Sequence, residues 1–281
     1  LSDLAVLEAP KPLRLSWSRL RTHDECPAKY DLRRGNRSPL FDNRNFVHGN
    51  ATDLAMRRWL EFEEPPPGWM LAHIEELLDE CSKPSKEGIV KWKHADDRAQ
   101  LLAFCRELVK RLEKILNRYA LPFTWTPARR FEVPVTITGL DGEPRGIILI
   151  GEMDLLVEDS QGRIVVWDLK ATQNDQYYKK VLGQLAFYAI AVAAMRGRLP
   201  VKTGIIQPMC SEQVLPFDVG MTAVREMSWR IERTAHDIWA GRVHPKADDE
   251  GCDWCDVQRV CPKFAPPIGR TGRAALTAGS S

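Results

Sequence analysis

The sequence predicts an α/β protein of one compact domain. Strand, strand, strand, helix, strand fills the middle of the chain, with helices on either side. Three observations carry this expectation. Apolar residues recur at helical spacing before residue 120, most clearly in "LLAFCRELVKRLEKIL". From residue 129, β-rich runs separated by turn residues replace that pattern. Beyond residue 175 the helical patterns return.

Residues 1–15 are expected to form a flexible arm and 16–128 a helical N-terminal region. "SWSRLRTHDECPAKYDLRR" opens with a Ser cap and reads as one basic helix. "NFVHGNATDLAMRRWLEFEE" reads as a second, ended by the "PPPG" breaker at 65–68. Further helices are expected over 69–82 and 95–119. The core spans 129–210. "RRFEVPVTIT" alternates as a strand does, and "GLDGEP" is turn chemistry. "GIILIGEMDLLVE" and "RIVVWDLKA" are strands joined by the short turn "DSQG". A helix over 175–196 and the strand "VKTGIIQPM" complete the core. Residues 211–264 carry a last helix (219–241) and a cysteine-bearing segment, and 265–281 read as a disordered tail.

The chain has 281 residues and a net charge of +2, which neither demands nor excludes a nucleic-acid partner. No apolar run approaches the length of a membrane span. The start, "LSDLAVLEAP", lacks the marks of a secretory signal, so a soluble intracellular protein is expected. Seven cysteines, an odd number with one tight cluster, argue for metal over disulfides. Cys81, Cys105 and Cys210 read as ordinary buried thiols.

The chemistry concentrates on two neighbouring strands. Asp168 and Lys170, two apart, share a strand face, while Val165, Trp167 and Leu169 take the other. The turn at 159–162 folds the preceding strand back and sets Asp154 near Asp168, within one register step. Two carboxylates and a lysine at one point suit a hard divalent cation, which takes oxygen ligands and stabilises charge on a phosphoryl oxygen. The bland alternative is a solvated Asp168–Lys170 pair. Asp154 speaks against it, because an unpartnered carboxylate is costly in so apolar a strand.

"GEMD" followed by "DLK" resembles the core signature of the PD-(D/E)XK nuclease superfamily, and the order of elements resembles its core. In "GQLAFYAIA", Gln184 and Tyr188 lie one helical turn apart. They resemble the Q-x-x-x-Y motif of the RecB-like branch. The resemblance implies a central mixed sheet flanked by helices and hydrolysis of DNA phosphodiesters with Mg²⁺ or Mn²⁺. It implies that Asp154, Asp168 and the Leu169 carbonyl hold the metal. Lys170 then positions or activates water, and Gln184 and Tyr188 line the site. Glu132 matches a glutamate often found in the first strand. The family's G-x-x-x-H segment is represented by Gly49 and Asp53, so an aspartate stands where His is expected, and Asp53 is taken as a ligand. His48 reads as a helix-start residue.

"GCDWCDVQRVC" places Cys252, Cys255 and Cys261 in a C-x2-C-x5-C run. The iron–sulfur members of the RecB-like branch join such a run to one upstream cysteine around a 4Fe–4S cluster. The resemblance names Cys26, in "HDECPAKY", as the fourth ligand. Zinc is the rival metal, since four thiolates bind it equally well. His244 would be its alternative ligand.

For nucleic acid, Arg33, Arg34, Arg37, Lys179 and Lys180 are candidate phosphate contacts. Trp17, Tyr177, Tyr178 and Trp254 are candidates to stack on bases. The bland alternative is solvated helix faces and core aromatics. No G-x-x-x-x-G-K-S/T phosphate loop is present, so unwinding would come from a partner. The resemblance implies a single-strand or end-processing exonuclease in recombination, repair or phage DNA metabolism. It further implies a helicase, recombinase or annealing-protein partner, in the cytoplasm of a bacterium or phage-infected host. An endonuclease and a catalytically silent DNA-binding subunit are the alternatives.

Overall fold

The computed structural model describes residues 12–35, 41–42, 44–84, 88–90, 92, 94, 96–119, 124–174, 178–246, 249–253 and 255–264. The elements in chain order begin with β1 (Leu13–Leu15), α1 (Trp17–Glu25), α2 (Pro27–Gly35), β2 (Phe41–Asp42) and α3 (Arg44–Leu60). α4 (Trp69–Ser82), β3 (Gly88–Ile89) and α5 (Asp97–Tyr119) complete the N-terminal half. Then come β4 (Thr124–Thr138), β5 (Pro144–Glu158), β6 (Ile164–Leu169) and α6 (Tyr178–Arg196). β7 (Lys202–Ile206), β8 (Leu215–Phe217), α7 (Met221–Trp239) and α8 (Asp249–Asp253) follow, with a 3-10 turn at Gln258–Val260.

Six strands form one mixed sheet organised around β5. One edge of β5 pairs antiparallel with β4, from Thr138 opposite Pro144 to Thr124 opposite Glu158. The other edge is divided. β1 lies parallel beside Ile147–Leu149, and β6 lies antiparallel beside Leu155–Glu158. Among the described residues, 150–154 have no ladder partner on that edge. β7 runs parallel to β6, and β8 closes the row antiparallel to β7. The β5–β6 hairpin turns where expected. Gly162 adopts φ +71°, and Asp159 Oδ1 accepts the N–H groups of Gln161 and Arg163 at 3.0 and 2.8 Å.

Helices cover both faces. Trp59 and Met56 of α3, Ile74 and Leu77 of α4 and Leu112 of α5 pack on Leu155, Trp167, Leu169 and Ile206. Phe187 and Val192 of α6 and Ile231 of α7 pack on Leu149, Met153, Leu156 and Val166. Leu149 and Met153 thus face α6 and α7, whereas Leu155, two residues further on, faces α3–α5. The β4 register is unchanged across this point, so no residue is inserted. The ribbon turns over at Asp154, between the two cores.

Four features differ from the sequence expectation. Residues 13–15 of the expected arm form β1, whose three residues are too few to show a period. The basic helix is two helices, because Pro27 disfavours helical geometry at the residue before it. Cys26 accordingly takes φ −163° and ψ 112°. The two-residue strands β2 and β3 pair in a separate small sheet, and β8 adds an unforeseen edge. Cys105 is buried, but Cys81 is half-buried and Cys210 exposed, with its thiol donating to the Thr172 carbonyl at 3.5 Å. Burial pushes Cys105 up to about 12 and Cys81 up to about 11.

α1 docks on α6 at one close contact. A Cβ on Gly183 would fall 2.3 Å from the Trp17 ring, which is also covered by the Arg230 guanidinium at 4.9 Å. Gly183→Ala gains helix propensity but overpacks a rigid ring, so we expect a net loss of about 1–3 kcal/mol. A urea melt measures it, and wild-type stability in this variant would refute the contact.

Candidate active site

The β5 gap ends at Asp154. One step beyond the last ladder pair, Leu155 opposite Trp167, the register sets Asp154 opposite Asp168. Asp154 Oδ2 accepts the Leu169 N–H at 2.7 Å. Asp168 is fully buried, with Lys170 Nζ 2.5 Å from its Oδ2. Its Oδ1 is buried without a hydrogen-bond partner among the described residues. Burial pushes the Asp154 carboxyl well above the usual carboxylate range, and the neighbouring Asp168 charge adds to the shift. Burial raises Asp168 too, against the opposing charge of Lys170.

The helix pair Gln184 and Tyr188 has a definite task. The Tyr188 hydroxyl donates to the Glu152 carbonyl at 2.7 Å, and Gln184 Nε2 donates to that hydroxyl at 2.8 Å. Glu152 lies within the unpaired stretch of β5, where a carbonyl facing inward needs a partner. Tyr188 supplies it. Burial holds the phenol well above its ordinary pKa, and the Asp168 and Asp154 charges act in the same direction.

α3 contributes Asp53, which is ion-paired with Arg57 one turn on; Arg57 also contacts the Glu152 carboxylate. Burial raises the Asp53 pKa against Arg57, and the charges of Glu152 and Asp168 reach it. The structure therefore gathers Asp53, Asp154, Asp168, Lys170, Gln184 and Tyr188 into one site. Sequence reasoning missed Arg57 and Glu152. The signals were present: Arg57 follows Asp53 by four, and Glu152 precedes Asp154 by two.

Two expectations are corrected. Glu132 pairs with Ile150, four residues and roughly 13 Å along β5 from Asp154. It is exposed and ion-paired with Arg14, so it is not brought to the site. His48 is not a helix-start residue; it lies within α3 and contacts the Ala171 carbonyl through Nε2 at 2.9 Å. It ties α3 to the segment after Lys170, and burial lowers its pKa.

The cysteines meet elsewhere. Cys26, Cys252, Cys255 and Cys261 line one cavity of about 490 Å³, together with Arg21, Lys29, Arg230 and Lys246. Among the described residues, no three His, Cys, Asp or Glu side chains form a ready-made metal cage. Exposed His244 does not line this cavity. Arg33 is held by Asp256 at 2.7 and 2.8 Å, and Trp17 is packed against Gly183, so both serve the fold. Arg37, Tyr177, Trp254 and the side chains of Arg34, Tyr178, Lys179 and Lys180 lie outside the described residues.

The donor set at Asp154 and Asp168 fits a hard divalent cation. Asp154 and Asp168 both have raised pKa, Asp168 Oδ1 has no hydrogen-bond partner among the described residues, and Lys170 stands at Asp168 alone, so the ionised pair lacks positive charge that a cation would supply.

Comparison with known proteins bears on this geometry. A family model described as the PD-(D/E)XK nuclease superfamily matches residues 14–262. A Eubacterium rectale protein provisionally named an exonuclease superposes with a TM-score of 0.53 at 14% identity, over 91% of this chain and 90% of that one. That likeness is one of fold. The solved structure of SSO0001 gives a TM-score of 0.40 at 14% identity over 92% and 90%, too low to carry an argument. A sequence search of curated proteins finds no match.

The Tyr188 bridge is testable apart from catalysis. Tyr188→Phe leaves the Glu152 carbonyl without its donor, and we expect a loss of about 1–3 kcal/mol in a denaturant melt. An unchanged midpoint would mean that another group satisfies the gap.

Proposed function

The chain belongs to the PD-(D/E)XK nuclease superfamily, and on that premise we propose that it is a divalent-metal-dependent deoxyribonuclease acting at DNA ends or on single strands. The observation that carries the reading is Asp154 set opposite the fully buried Asp168, with Lys170 beside Asp168. Asp154, Asp168 and the Leu169 carbonyl would hold Mg²⁺ or Mn²⁺. When bound, the ion would lower the pKa of water and offset charge on the phosphoryl oxygen. Lys170 orients the attacking water and stabilises the charge that develops. Gln184 and Tyr188 keep β5 in place beside the substrate. The presence of all three reactive side chains favours an active enzyme over a silent binding subunit.

For the cysteines we propose an iron–sulfur clasp. A single zinc ion requires four sulfurs about 2.3 Å from one point. The four cysteines line one cavity of about 490 Å³, which has room for a cluster of several atoms as well as for a single ion. Arg21, Lys29, Arg230 and Lys246 also line it, paired in part with Asp24 and Glu25 of the same wall.

End-labelled single- and double-stranded DNA with Mg²⁺ or Mn²⁺ tests the nuclease. Lys170→Ala should lose about 10²-fold or more in rate. Equal cleavage by this variant, or none by wild type, would sink the reading. Cleavage of circular single-stranded DNA would identify an endonuclease instead. For the clasp, Cys26→Ala should lose iron and melt at a lower temperature. A colourless wild type that releases only zinc would refute iron, and unchanged metal content in the variant would refute Cys26 as a ligand.

A further inference from the structure

We propose that Arg57 takes the place of a second metal ion, so that the site holds one divalent cation and not two. The inference rests on the metal-dependent reading above.

The Arg57 guanidinium bridges two carboxylates, Asp53 on its own helix and Glu152 on β5. Two facing carboxylates are a donor set that a hard divalent ion would otherwise take. All three side chains are at least two-thirds sheltered from solvent. Arg57 is therefore a poor candidate for a loose surface partner that exchanges freely with water.

Charge points the same way. Asp53, Glu152, Asp154 and Asp168 face two fixed cations, Lys170 and Arg57. With all four carboxyls ionised, as a bound cation favours, one divalent ion balances the two negative charges left over, and a second would overshoot. Arg130 also reaches Glu152 at 3.0 Å, but its side chain is 85% exposed and its charge is screened by water.

The arrangement also accounts for the aspartate at position 53. Its carboxylate is the counter-ion of Arg57 one turn along α3, a spacing that favours such pairs. A guanidinium remains charged at any working pH and offers planar donors to both carboxylates. It anchors α3 to the gap in β5 without competing for the ion at Asp154 and Asp168. Arg57 is thus a positioning residue and a fixed charge.

Counting bound Mn²⁺ per chain, by paramagnetic resonance of the free ion and by calorimetry, tests the proposal without reference to cleavage. We expect one ion for wild type, one for Arg57→Lys and two for Arg57→Gln. The last keeps much of the side-chain stem while removing the charge. Thermal melts verify that each variant is folded. Two ions on wild type would overturn the inference while leaving the metal-dependent reading intact. One ion on folded Arg57→Gln would also overturn it, because removing the charge would then have opened no site. No Mn²⁺ on wild type would overturn the metal-dependent reading, and this inference with it.

Discussion

Two carboxyl groups, the half-buried Asp154 and the fully buried Asp168, lie opposite each other at the point where the edge of β5 loses its partner. Like charges so close and so dry repel, and burial alone disfavours each of them. The surrounding structure compensates in part. The Leu169 N–H serves Asp154, and Lys170 stands against Asp168. The compensation is incomplete, and the shortfall of positive charge is the property that suits the site to a divalent cation. Packing makes that shortfall sustainable. The cores on both faces of the sheet, around Trp59 and Phe187, hold the strands whether or not the carboxyls are content.

Much of this was legible in the residues. Asp168 and Lys170 declare themselves by spacing, and the turn at Gly162 fixes the hairpin register that brings Asp154 opposite Asp168. Gln184 and Tyr188 were legible as a pair but not in their task. Hydrogen bonding to the Glu152 carbonyl depends on a break in the ladder that no local pattern announces. β1 was hidden because three residues show no period, and its partner lies far along the chain. Arg57 was hidden because an arginine on a helix flank is usually solvated; only the fold turns it toward Glu152. Glu132 misled because face and strand were right while position along the strand was not.

Ion pairs and hydrogen bonds hold the N-terminal helices to the C-terminal segment. Arg33 grips Asp256 in a two-pronged pair, Arg230 and Arg233 both reach Asp24, and Lys246 donates to the Asp24 carbonyl at 2.5 Å. These contacts hold α1 and α2 against α7 and the cysteine segment, so the cavity is framed by protein. Pro27 has a part in this: by ending α1 at Cys26, it puts the thiol at a corner between two helices.

The divided edge of β5 also draws on three separate parts of the chain. β1, from the start of the chain, and β6, from beyond its middle, share that edge, and Tyr188 from α6 then spans the break between them. The β1 contact closes a far longer loop than the Tyr188 contact, whose partners are 36 residues apart, and each closure carries an entropic cost. A chain that stops before α6 has both aspartates and the lysine but no hydroxyl for the Glu152 carbonyl. The candidate site is therefore complete only when the chain extends through α6, and a product truncated before it lacks the group that closes the break in β5.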